Sequence, residues 1–187
     1  MREVYVALAL RTPVGKAFKG SFAQTRPDTL GAAAVRGILE RVPNLDPARI
    51  GDVIMGCAMP EGEQGMNVGR NIALLAGLPD SVPGMTINRF CSSGLETINI
   101  AALKIAMGQE DVIIAGGVES MTMIPMGGLR YLPNPDLVAN DPATYLNMGL
   151  TAERLSVEDV LSREDQDRFA LASHRKAAAA IEAGRFK

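Results

Sequence analysis

The sequence predicts an α/β protein in which strands and helices alternate and the strands form a parallel sheet. Two short apolar runs, Val53–Ala58 and Val112–Ala115, are predicted to be strands, and the second is typical of a strand buried on both faces of such a sheet. Segments with apolar residues at helical spacing lie between these runs. Apolar residues make up 47% of the 187 residues, which is enough to build a core of ordinary size.

The first elements follow one another from the N-terminus. Val4–Leu10 is predicted to be a strand, and residues 12–27 are predicted to form a loop because they contain Gly, Ser and Pro. Asp28 is predicted to cap a helix that ends near Val42. The predicted buried stripe of this helix consists of Leu30, Ala33, Ala34, Ile38 and Leu39. The run Val53–Ala58 follows as the second strand.

The next predicted elements are a helix, a strand and a second helix, and Cys91 lies between the last two. Asn67–Ala76 is predicted to be a helix, and Met85–Phe90 a strand that follows a Pro-Gly turn. Ser92–Met107 has apolar residues at helical spacing, and Gly108 lies where a left-handed cap is expected. With the next strand, these elements form a βαβ unit whose strand-to-helix joint contains Cys91.

The pattern changes in the last third of the chain. Residues 122–147 are rich in Pro, Gly and Asn, which indicates a domain boundary. A long helix is predicted from Ser162 or Arg163 to Ala183, with Gly184 as its C-terminal cap.

Cys91 is the candidate nucleophile because of its position before a helix. The first turn of a helix presents unpaired N–H groups and a partial positive charge, which favour the thiolate form of a cysteine. A thiolate is the attacking species in thiol-dependent acyl transfer. The pattern alone leaves open that Cys91 is a small apolar core residue. A core role is expected for Cys57, which lies within a predicted strand.

Several colinear segments resemble thiolases. They are Arg11–Gly15, Gln64–Arg70, Asn88–Leu95, Ala115–Met121, Met148–Glu153 and Ser173–Ala177. Asn88–Leu95 resembles the acyl-enzyme cysteine signature of that family, and the resemblance covers essentially the whole chain. It implies that Cys91 is the catalytic residue and that Glu119 orders the turn after its strand.

The resemblance implies a βαβαβαββ layered domain with part of an inserted loop domain. Residues 1–121 would be the N-terminal core domain with the nucleophilic cysteine, and residues 122–187 a partial, truncated loop domain. Thiolases run to about twice this length, beyond the usual size of one domain. The C-terminal half is therefore expected to be absent, and with it the histidine base and second cysteine that this half supplies in the family.

The implied reaction is ping-pong acyl transfer between 3-ketoacyl-CoA and coenzyme A, with release of acetyl-CoA. The acyl group is held on Cys91 between the two steps. Coenzyme A is a substrate, and no cofactor is expected. One histidine and two distant cysteines predict no metal site. Met148 is expected to bind substrate, because the matching family position lies beside the acyl group.

Two departures favour a degradative 3-ketoacyl-CoA thiolase of fatty-acid breakdown that works as a homodimer. Asn147 precedes Met148, where biosynthetic acetoacetyl-CoA thiolases usually have histidine, and the loop is too short for the tetramerisation hairpin of the family. A biosynthetic acetoacetyl-CoA thiolase is one alternative. A catalytically incomplete assembly or binding fragment is another. A dyad of Cys91 with His174, the only histidine, is a third.

Charge, cysteine content and the N-terminal segment limit the expected partners and compartment. A formal charge of −2 with interspersed signs gives no case for nucleic-acid binding. Two cysteines without a paired framework indicate a reducing compartment. The first residues contain an acid and no apolar stretch long enough for a secretory or membrane-spanning segment, so we expect a cytoplasmic protein without a membrane partner.

Overall fold

The structure is a computed structural model that describes residues 1–186. The helices are α1 Pro27–Arg41, α2 Val68–Leu75, α3 Ser93–Ala106, α4 Pro135–Asn140, α5 Met148–Glu158 and α6 Arg163–Glu182, and the strands are β1 Asp52–Gly56, β2 Gly84–Ile87 and β3 Ile113–Gly117. The chain divides into two compact units, Met1–Tyr131 and Leu132–Lys187. The assignment of core and loop domains stays a prediction.

The first unit is built on a parallel sheet with the strand order β2-β1-β3. All five residues of the central strand β1 are buried, and four of them belong to the predicted strand Val53–Ala58. Burial on both faces is predicted for the run that forms β3, but only Ile114 of that strand is buried. Val53 and Met55 pack in a cluster with α1 and α2. Ile54 points to the opposite face by strand alternation, and α3 contacts β1 and β3. The mixed α/β class with a parallel sheet is therefore confirmed.

The prediction that Val4–Leu10 is a strand is wrong for this structure. Within residues 1–186, no backbone hydrogen bond joins this segment to a neighbouring strand, and Val4, Tyr5 and Val6 are exposed. A cavity of about 210 Å³ lies between residues 10–12 and residues 114–119. An apolar segment becomes a strand only when a partner satisfies its backbone groups, and within residues 1–186 no strand pairs with this segment. The described sheet of residues 1–186 therefore lacks both the first and the last strand of the βαβαβαββ order.

Helix α1 differs from its prediction at its start and on its buried face. Pro27 is its first residue, and Asp28 is a buried first-turn residue that pairs with Arg26 at 2.7 Å instead of capping the helix. Gly31 and Ala32 are buried, whereas Ala33 is exposed. A Cβ on Gly31 would lie 2.4 Å from Cδ1 of Ile72 in α2. Because α1 and α2 lie so close together, α1 buries the face on which Gly31 and Ala32 lie.

The second unit contains α4, α5 and α6, and α4 lies within the Pro-, Gly- and Asn-rich residues whose composition indicates a domain boundary. Asn134 caps α4, since its Oδ1 accepts hydrogen bonds from the N–H groups of the first turn. Helix α6 agrees closely with its prediction. Ser162 and Asp165 form a capping box at its start, and Gly184 has a φ of 64° after its end. Within residues 1–186, no helix is long and apolar enough to cross a membrane.

Candidate active site

Cys91 lies in a short 3-10 turn, Phe90–Ser92, between the carboxyl end of β2 and the start of α3. Its thiol is exposed, so the alternative of an apolar core residue does not fit the structure. Arg89 has a φ of −134° and a ψ of 40°, outside the extended conformation of a strand, and β2 ends at Ile87 instead of continuing to Phe90. The sequence-predicted joint between strand and helix is therefore present, with one additional turn inside it.

Phe90 adopts a φ of 45°, in the left-handed region that bulky side chains avoid. Such a conformation costs about 1–3 kcal/mol and persists only where neighbouring groups hold it. The Phe90 N–H donates to Asn88 Oδ1 at 2.8 Å. Ser93 Oγ donates to the Phe90 carbonyl at 2.6 Å and accepts from the Arg89 N–H at 2.8 Å. Side-chain hydrogen bonds thus hold the turn on both sides of Phe90.

The turn is also joined to the end of β1. Asn88 Nδ2 donates to the Ala58 carbonyl at 2.9 Å, and the Cys57 N–H donates to the Ile87 carbonyl at 3.0 Å. A Cβ on Gly56 would lie 2.5 Å from the carbonyl carbon of Ser93. The absence of a side chain at Gly56 therefore lets the first residue of α3 pack directly against the sheet.

Thr97 connects α3 to β3 one turn further along the helix. Its side chain is fully buried, and its hydroxyl lies 2.7 Å from the Gly94 carbonyl and 3.0 Å from the Gly116 carbonyl. The hydroxyl proton can be shared between these two acceptors. This contact keeps the start of α3 at the carboxyl end of the sheet, where ligands bind in open α/β sheets.

Glu119 joins the loops that follow β1 and β3. Its carboxylate accepts from the Ala58 N–H at 2.7 Å and from the Gln64 amide. Gln64 is fully buried, donates to the Met59 carbonyl at 2.8 Å, and accepts from the Ser120 N–H at 2.9 Å. Glu119 thus binds the loop after β1 directly, and Gln64 connects that loop to Ser120 after β3.

Cys57 occupies an environment opposite to that of Cys91. Its side chain is buried in the cluster between the sheet, α1 and α2, which confirms its expected core role. Burial raises the pKa of the Cys57 thiol to about 12, and the negative charge of Glu119 acts in the same direction. Its sulfur lies 3.8 Å from Glu119 Oε1. Cys57 therefore stays a neutral thiol at physiological pH.

The other candidate residues lie in the second unit. Met148 is the first residue of α5 and is exposed; Asn147 caps this helix by accepting from the Leu150 N–H at 2.9 Å. His174 is exposed on α6. Substrate binding by Met148 stays a prediction. Within the part of the chain that the structure describes, no group of three or more His, Cys, Asp or Glu side chains could hold a metal ion.

Comparison with protein families identifies the scaffold that positions this cysteine. Residues 4–187 match the family model described as thiolase, N-terminal domain. The chain belongs to the thiolase family. The resemblance to thiolases that the sequence motifs indicate is thereby confirmed, and it extends over nearly the full chain.

Curated members of the thiolase family match along the full length of this chain. A 3-ketoacyl-CoA thiolase of Bacillus subtilis (strain 168) is 51% identical over 187 residues, covering 100% of this chain and 48% of that protein. A 3-ketoacyl-CoA thiolase of Saccharophagus degradans is 45% identical, covering 99% of this chain and 47% of that protein. One of Erwinia tasmaniensis is 43% identical, covering 100% and 48%. The chain spans about half the length of the curated relatives it matches.

Sequence reasoning missed the side chains that hold the thiolase cysteine in place. Asn88 and Ser93 lie in the recognised motif, but their spacing predicts no specific hydrogen bonds. An Asn two residues before a turn residue is a known source of side-chain-to-backbone bonds and could have indicated the role of Asn88. Gly56 within an apolar strand could have indicated a close backbone approach. Nothing in the sequence indicates the buried position of Gln64.

Proposed function

We propose that the protein to which this chain belongs transfers an acyl group from a 3-ketoacyl-CoA to coenzyme A, with Cys91 as the nucleophile. The supporting observation is the exposed thiol of Cys91, which lies on a braced turn before α3 in a chain of the thiolase family. The relatives named 3-ketoacyl-CoA thiolase support this substrate class. Coenzyme A is a substrate in this proposal.

In the first step, the Cys91 thiolate attacks the keto carbon of the 3-ketoacyl-CoA. The carbonyl electrons move to oxygen, and the bond from the keto carbon to the α carbon then breaks as the carbonyl reforms. The electron pair of that bond goes to the α carbon, which is protonated to give acetyl-CoA. The shortened acyl group stays on Cys91 as a thioester.

In the second step, the thiolate of free coenzyme A attacks the carbonyl carbon of the acyl group on Cys91. The tetrahedral intermediate collapses, the new acyl-CoA leaves, and Cys91 departs as a thiolate that is ready for the next cycle. An oxyanion forms in both steps and needs hydrogen-bond donors. The backbone N–H of Cys91 is the donor proposed from this chain, since it has no hydrogen-bond partner within residues 1–186.

Other parts of the proposal extend beyond the described residues. The base that activates coenzyme A and a second cysteine that moves the proton are proposed to come from the half of the relatives that this chain does not span. Met148 is proposed to contact the acyl group. The proposed setting is fatty-acid breakdown in the cytoplasm by a homodimer, and light scattering of the complete protein tests the dimer.

The test is cleavage of a 3-ketoacyl-CoA that depends on coenzyme A, with the C-terminal half restored in cis or in trans. Cys91→Ser is expected to lower turnover by about 10⁴-fold or more, because loss of a nucleophile removes the covalent route. Cys57→Ala is the matched control and is expected to stay within about 10-fold of the unchanged protein, since the change leaves the exposed thiol intact. Full turnover by Cys91→Ser would refute the proposal.

The 187 residues alone are expected to cleave the substrate slowly. Missing acid-base groups cost about 10²–10⁴-fold, and each missing oxyanion donor about 10²–10³-fold, without simple additivity. Robust cleavage by this chain that Cys91→Ser abolishes would place the base within it. His174→Ala would then test the alternative dyad directly.

A further inference from the structure

Side chains hold the backbone on both sides of Phe90, and one of them, Ser93, binds the peptide unit between Phe90 and Cys91. Phe90 lies in the left-handed region, its N–H is bound by Asn88, and its carbonyl is bound by the Ser93 hydroxyl at 2.6 Å. The Ser93 N–H also donates to this carbonyl. The carbonyl of one strained residue thus receives two hydrogen bonds from Ser93.

The Phe90 carbonyl and the Cys91 N–H belong to the same planar peptide unit. In a trans peptide these two groups point in opposite directions, and rotation of one necessarily rotates the other. A hydrogen bond that fixes the direction of the Phe90 carbonyl therefore fixes the direction of the Cys91 N–H. This is the N–H group proposed above as the oxyanion donor.

The Ser93 hydroxyl is itself held in one orientation. Ser93 is only 4% exposed, and its oxygen accepts from the Arg89 N–H at 2.8 Å while its proton goes to the Phe90 carbonyl. Gly56 packs against its backbone and Cβ. The neighbouring Ser92 differs, because its exposed side chain donates only to the Arg89 carbonyl at 3.1 Å.

We propose that Ser93 is a positioning residue that aims the Cys91 N–H at the oxyanion of the acyl-transfer intermediate. This inference rests on the proposed function. Its consequence is selective: loss of the hydroxyl slows reactions of Cys91 that form an oxyanion and spares reactions that form none. A residue needed only for folding would affect both kinds of reaction.

The test uses two reactions of Cys91 in the full chain. With p-nitrophenyl acetate, the thiolate attacks the ester carbonyl, an oxyanion forms, p-nitrophenolate leaves, and the acetyl group stays on sulfur while the thiol proton goes to buffer. With iodoacetamide, the thiolate displaces iodide from carbon, and no oxyanion forms. Peptide mapping identifies the modified cysteine in each case.

Ser93→Ala is expected to acylate about 10- to 100-fold more slowly, within the loss caused by misplacing one catalytic group. Its alkylation is expected to change by less than about 3-fold, since the thiol stays exposed before α3. Ser92→Ala is the matched control, with both rates expected within about 3-fold of the unchanged chain. Ser93→Thr keeps the hydroxyl and is expected to acylate within about 3-fold as well.

Different results would refute the positioning role of Ser93 and the proposed function. Equal slowing of both reactions in Ser93→Ala, unchanged acylation in that variant, or acylation by Ser93→Thr as slow as by Ser93→Ala would overturn the positioning role. Failure of the unchanged chain to acquire an acetyl group on Cys91 would instead refute the proposed nucleophile.

Discussion

Replacement of Gly56 by alanine is expected to displace the start of α3 from the sheet. A Cβ at this position would lie 2.5 Å from the carbonyl carbon of Ser93, 2.7 Å from its Cβ and 2.8 Å from the Gly94 nitrogen. Two of these three atoms belong to the backbone, so rotation of a side chain cannot relieve the overlap. The helix, the turn with Cys91, or strand β1 must move.

The size of the movement follows from the contact distance. Carbon atoms pack best at about 3.5–4.0 Å, so the 2.5 Å contact requires a separation of about 1 Å more. Overpacking of this kind costs about 1–3 kcal/mol of the free energy of unfolding. A displacement of about 1 Å at a catalytic group can lower the rate about 10²-fold. We therefore expect loss of both stability and Cys91 acylation in Gly56→Ala.

Gly94→Ala is the matched control for stability. A Cβ at Gly94 meets nothing within 4 Å, and the residue lies in the first turn of α3 without a positive φ. The same chemical change should therefore stabilise the chain by up to about 1 kcal/mol, through the helix propensity of alanine. Urea unfolding measures both variants. The packing argument is refuted if Gly56→Ala is as stable as Gly94→Ala and acylates Cys91 at the original rate.

Iodoacetamide at mildly acidic pH should modify exposed Cys91 ahead of buried Cys57, and peptide mapping that finds Cys57 first would refute this order. The folded state raises the pKa of Cys57 from 9.0 to about 12, so its stabilising contribution is complete below pH 9.0 and is lost as pH rises toward 12. Cys57→Ala should remove that part of the alkaline slope in urea titrations; an unchanged slope contradicts the linkage. Thr97→Val should lower the free energy of unfolding by about 1–3 kcal/mol, because the Gly116 carbonyl loses a buried donor. Equal urea midpoints would exclude that role.

Local sequence signals predicted most elements of the sheet region and the long helix of the second unit. Each of these signals is local, since it involves only residues close together in the sequence. Examples are the apolar run of β1, the helical spacing of α3 and the glycines after α3 and α6. The prediction of a strand at Val4–Leu10 is wrong, because an apolar pattern alone does not make a strand. Strand formation requires a paired partner, and within residues 1–186 no neighbouring strand pairs with this segment.

The buried face of α1 and the contacts around the candidate site depend on residues far apart in the sequence. The predicted stripe of α1 misses Gly31 because only the approach of Ile72 makes a missing side chain useful there. Gln64 and Glu119 are separated by 55 residues, and the fold joins them beside the end of β1. Hydrophobic periodicity contains no information about such pairs.

The α/β class and the thiolase family could be inferred from the sequence alone, because local periodicity and several colinear motifs indicate them. The same motifs predict Cys91, and not Cys57, as the nucleophile. The contacts that hold the Cys91 turn, by contrast, arise only in the folded chain. The close approach of Gly56 to Ser93 and the bond from Asn88 to Ala58 form when β1 and β2 lie side by side. Packing and hydrogen bonding act over a few ångströms in space, irrespective of the distance along the chain.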